Sequence, residues 1–73
     1  MITAKQSRMA RVALNWTTSD LAQRAGIGRA TVARFELGNS VAIESAGKMM
    51  VAFEAAGATF SAADDRVTVS VPI

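Results

Sequence analysis

Residues 18–38, TSDLAQRAGIGRATVARFELG, admit few folds, because their spacing demands two short helices meeting at a sharp turn. Leu21 and Ala25 lie four residues apart on one helical face, and Ala22 is small where a second helix must cross closely. Gly26 supplies the turn, since helices commonly end on a glycine that accepts positive φ. Ile27 anchors that turn in the core, Gly28 serves as the next N-cap, and Val32 and Phe35 point inward from a helix over about residues 29–37. Gly38, with Asn39 and Ser40, ends it.

The flanking segments read as supports for this unit. Thr3 and Gln6 form a capping box with Ile2 packing back on the first turn, so a first helix is expected over about 4–14. Its inward face comprises Ser7, Ala10, Leu14 and the aliphatic part of Arg11, while Met9 and Val12 serve peripheral packing or a contact with another chain. Thr17 or Thr18 caps the next helix ahead of Asp20, whose charge suits a helix N-terminus. Residues 43–56 read as a fourth helix with Ala46, Met49, Met50 and Phe53 inward, the methionines being adaptable core rather than a ligand box. Gly47 inside it costs roughly 1 kcal/mol relative to alanine, so either a neighbouring helix approaches closely there or the loss is tolerated. Trp16, the single tryptophan, belongs to the core or an interface.

After Gly57 the period changes from helical to two. Residues 58–61 and 66–71 alternate apolar and polar side chains around a turn-like Ala62-Ala63-Asp64-Asp65, which is the signature of a β-hairpin. A lone hairpin is marginal in water, so Phe60, Val67, Val69 and Val71 need a surface, either the chain's own helices or a matching hairpin on a second subunit. The expected organisation is a helical domain over 1–57 and a hairpin over 58–73 that serves as a dimerisation element.

At 73 residues the chain makes one small domain, which buries only about 60% of its unfolded surface, so a second copy would help stability. It has no cysteine and no histidine, which removes disulfides, thiolate and imidazole metal ligands and the common acid–base and nucleophile arrangements. No catalytic residue, metal or cofactor is expected, and the chain is not expected to be an enzyme. The N-terminus lacks a charged segment followed by an apolar run, and no stretch approaches the roughly 20 apolar residues of a membrane span; a cytoplasmic protein with no membrane partner is expected. Charge is unevenly spread: residues 1–40 hold six basic and two acidic side chains, net +4, and residues 41–73 hold two and four, net −2. The basic half coincides with the two-helix unit, as a polyphosphate partner would require.

Two short helices joined by a glycine-containing turn describe a helix-turn-helix, and residues 1 to about 57 resemble its XRE-type family, which includes the Cro proteins and lambdoid phage repressors. The resemblance rests on Ala22, Gly26, Val32 and the run ATVARFELG from Ala30 to Gly38. It implies a mainly α, lambda-repressor-like bundle of four to five helices, extended here by the C-terminal hairpin. It also implies that a homodimer binds a short two-fold symmetric site on double-stranded DNA as a transcriptional regulator, with repression as the default sign.

Carried across residue by residue, the base-reading positions are Arg29, Ala30 and Arg34, with Thr31 and Ala33 close to the same face. Arginine can donate two hydrogen bonds to guanine O6 and N7, and alanine can touch a thymine methyl. On a helix without this motif around them, the same arginines would read as ordinary solvated surface. Phosphate contacts fall at Thr17 and Thr18, where a helix N-terminus offers free N–H groups, and at Asn39, which serves equally as a turn residue. Relatives usually carry glutamine where this chain has Thr18, and threonine reaches only part as far. Arg11 and Glu36 match positions that form a partly buried ion pair in some relatives, orienting the third helix. A competing reading of the fold is an interaction module, such as an antitoxin-like partner that clasps a second protein.

Overall fold

The computed structural model describes residues Met1–Ile73. It contains four helices, α1 (Ala4–Ala13), α2 (Thr18–Ala25), α3 (Arg29–Glu36) and α4 (Ile43–Ala55), followed by strands β1 (Thr59–Ala63) and β2 (Arg66–Ser70) paired antiparallel. Both expected caps form. The Thr3 hydroxyl accepts from the Gln6 N–H at 3.1 Å while Gln6 Oε1 accepts from the Thr3 N–H at 3.0 Å. Thr17, rather than Thr18, caps α2, through the equivalent reciprocal pair with Asp20.

All four helices end the same way. Asn15, Gly26, Gly38 and Gly57 each adopt positive φ, and the residue after each returns a hydrogen bond to a carbonyl five positions back, the Schellman closure. Asn15 can take this role because its short polar side chain tolerates the left-handed region. Gly57 has a second reason: a Cβ there would stand 2.8 Å from Cγ of Pro72, where the chain end folds back over it.

The core forms where α2 meets α3 and α4, and α1 lies against α3 and β2. Leu21, Val32, Met49 and Phe53 are fully buried at its centre, with Ile2, Ala10, Ala22 and Ala52 around them. Trp16 stacks on Phe53 with ring centroids 5.7 Å apart, and Phe53 meets Phe60 edge-on at 5.6 Å, so one aromatic column joins the α1–α2 turn, α4 and the hairpin. Of the two surfaces that the sequence left open to the hairpin, Phe60, Val69 and Val71 pack on the chain's own core, and Val67 is half-buried on the same face. The opposite face is polar, with the Thr59 hydroxyl donating to Ser70 and Ser61 paired with Thr68.

The hairpin turn is shorter than the sequence suggests. Ala62 and Ala63 continue β1 opposite Val67 and Arg66, leaving only Asp64 and Asp65 as the loop. A two-residue connection needs positive φ, which Asp64 supplies at 55°. Gln6, given only a capping role by the sequence, is 2% exposed. Its Nε2 donates to the carbonyls of Ser61 and Thr68 at 2.9 and 3.2 Å, clamping the hairpin to α1.

Candidate nucleic-acid interface

The angle between α2 and α3 is set by local backbone chemistry. Gly26 at φ +70° lets its N–H reach the Gln23 carbonyl at 3.3 Å, and Ile27 N–H the Ala22 carbonyl at 3.0 Å, so α2 stops and the chain reverses within two residues. Gly28 then caps α3 with no side chain in the way, leaving the first N–H groups of α3 open to the outside.

One face of α3 is spent on the fold. Val32 is buried and Phe35 packs on the core, while Glu36 is only 6% exposed although it is an acid. Three side chains gather around it. Arg11 reaches the Glu36 carboxylate through Nε and Nη2 at 3.0–3.2 Å, the Ser7 hydroxyl donates to Oε2 at 2.7 Å, and Arg8 Nη1 donates to the Glu36 backbone carbonyl. Arg11 Nη1 also donates to the Trp16 carbonyl at 3.1 Å, which ties the α1–α2 turn into the same knot. The expected Arg11–Glu36 pair is therefore present in a richer form. Ser7 was legible as an inward residue, but its partner lies 29 positions away, and nothing local to Arg8 signals a carbonyl on another helix.

The other face is bare. Arg29, Ala30, Ala33 and Arg34 are exposed and Thr31 is half-buried. Neither arginine forms an ion pair, the chain's single salt bridge being Arg11–Glu36. Asn39 lies exposed just past α3, where its N–H closes the helix on the Arg34 carbonyl at 3.0 Å.

At the N-terminus of α2, the capping box uses the Thr17 N–H and the Asp20 N–H, which leaves those of Thr18 and Ser19 for an outside anion. Hydrogen bonds from the Thr17 backbone and then its side chain hold the Asp20 carboxyl below the usual carboxylate range, with the Arg24 charge assisting. That fixed negative charge opposes an anion at the Asp20 side of this helix end. Arg24 itself lies over Trp16, its guanidinium carbon 4.4 Å from the ring centroid, so it braces the α2 end against the aromatic column.

A helix-turn-helix family pattern matches residues 8–55, well over half of the chain. The chain belongs to the XRE-type helix-turn-helix family. No curated protein matches it. Membership makes this a helix-turn-helix DNA-binding regulator with double-stranded DNA as its partner. The matched span begins at Arg8, one residue after Ser7, runs through α4 and stops short of the hairpin. No group of carboxylates in the chain is arranged to hold a metal ion, and no helix is long and apolar enough to cross a membrane.

Proposed function

We propose that the chain is a sequence-specific repressor that acts in the cytoplasm by occupying a two-fold symmetric operator as a homodimer. The observation that carries this reading is the bare face of α3, where two arginines without ion-pair partners flank small side chains on a helix whose opposite face is fully committed to the core. A helix with that division can enter a major groove without losing any contact that the fold needs. In this reading Arg29 and Arg34 each read a guanine through O6 and N7, Ala30 touches a thymine methyl, and Thr31 lies at the edge of the readout. Thr18, with the adjacent N–H of Ser19, holds a phosphate on one flank and Asn39 on the other; Thr17 contributes only through its hydroxyl. Two copies reading successive major-groove faces would place their α3 helices about 34–36 Å apart.

Selection of bound duplexes from a random pool tests this directly. The expected product is a palindromic consensus with guanine at positions facing Arg29 or Arg34, lost position by position in Arg29→Ala and Arg34→Ala. Recovery of unbiased sequences, with binding that collapses as salt rises, would establish general phosphate binding instead.

A further inference from the structure

Gly47 sits inside α4, where glycine is poorly suited, and no neighbouring helix of the same chain approaches it: nothing lies within 4 Å of where its Cβ would be. Instead it floors an open groove of about 450 Å³ between α4 and the end of α2. Residues 43, 47, 51 and 55 share one helical face at four-residue spacing. On that face Ile43 is 73% and Val51 64% exposed, so two large aliphatic side chains flank a glycine with no partner inside the chain.

Three charged side chains line this groove, of which Arg24 is turned over Trp16, so Glu44 and Lys48 decide between occupants. Glu44 and Lys48 lie one turn apart along its rim and form no salt bridge with each other or with any other residue. An isologous contact requires a patch that complements itself, and an acid and a base placed either side of a crossing point do so. With two α4 helices antiparallel and crossing at Gly47, Ile43 falls opposite Val51 of the partner subunit, and Glu44 lies beside Lys48 of the partner subunit. The two-fold axis repeats both contacts. Absence of a side chain at Gly47 allows the backbones to approach closely at the crossing.

We infer that α4, through the Ile43–Gly47–Val51 face, is the surface by which two copies of this chain pair. The inference rests on the homodimer of the proposed function and assigns its interface to α4 rather than to the hairpin, whose apolar side chains are already packed on the core. Sedimentation of the full chain over a concentration series tests it. Wild type should show a monomer–dimer equilibrium, and Gly47→Leu should be monomeric at the same concentrations with an unchanged helical circular dichroism spectrum, because the position is open in the monomer. Glu44→Lys and Lys48→Glu should each weaken association about tenfold through two symmetry-related repulsions, and the double exchange should restore it.

A monomeric wild type, a Gly47→Leu variant that still dimerises, or a double exchange that fails to restore association would each overturn the pairing. Binding of Gly47→Leu to a duplex carrying one selected half-site separates this outcome from the DNA reading. Half-site binding by a monomeric variant supports both, whereas a dimer dissociated by Gly47→Leu whose wild type binds no duplex preserves the α4 pairing and overturns the operator.

Discussion

Arg8 and Arg11 on α1 carry the same side chain as Arg29 and Arg34 on α3, yet the fold treats the two pairs in opposite ways. Arg8 and Arg11 turn onto the end of α3 and are bonded there to the Glu36 carboxylate, the Glu36 carbonyl and the Trp16 carbonyl. Arg29 and Arg34 extend from the outer side of the same helix and form no ion pair. The inner pair fixes where α3 stands, and the outer pair is what α3 presents. Charge alone does not distinguish them, because all four contribute equally to the basic half of the chain. Partner satisfaction does: a guanidinium held by buried acceptors is structure, and one facing solvent from a rigid helix is available to a ligand.

Breaking the inner knot should have the largest effect. Glu36→Ala leaves Arg11 half-buried without its acid and Ser7 without an acceptor, and should cost about 3–5 kcal/mol in a denaturant titration. The outer pair should show the reverse: Arg29→Ala or Arg34→Ala should change folding stability by less than about 0.5 kcal/mol while weakening operator binding by about 1–3 kcal/mol. An Arg34→Ala variant as unstable as Glu36→Ala would erase the division between the two faces. Gln6→Ala sharpens the comparison from outside the helix-turn-helix, since it removes the clamp on the hairpin without touching α3. It should destabilise by about 1–2 kcal/mol, with faster amide exchange in β1 and β2 and little change in DNA affinity.

The smallest effect is that of acid. The Asp20 carboxyl is held below its ordinary value in the folded chain, so its ionised form favours folding. The sign follows: this contribution is fully present above the unfolded carboxyl value and is lost as pH falls through the lower folded value. Asp20→Asn should therefore lower stability slightly across the neutral region and flatten the acid limb, so that the two curves converge at low pH. An identical acid limb in the variant would show that the capping box contributes nothing through charge.

Much of this molecule was legible because its signals are local. The capping box at Thr3, a threonine cap ahead of Asp20, the closure at Gly26 and the inward positions of Val32, Met49 and Phe53 depend on residues three to seven positions apart, and the structure repeats them, choosing Thr17 over Thr18 for the cap. The Arg11–Glu36 pair was reachable only through resemblance, because no local pattern announces a buried acid. The second use of Gln6 and the roles of Ser7 and Arg8 were invisible for the same reason: their partners lie 28 to 62 residues away. The hairpin turn was misplaced because Ala62 and Ala63 look like turn residues until the register pairs them with Val67 and Arg66.

The sequence by itself determined the four helices, their caps and the turn that angles α3, since hydrogen bonds within a few residues and a 3.6-residue apolar period suffice to specify them. Only the tertiary structure decided that the hairpin is docked on its own helices, that Glu36 gathers Ser7, Arg8 and Arg11 around the end of α3, and that Gly47 faces open space. Those outcomes depend on which distant surfaces meet when the core closes, and no spacing along the chain encodes that.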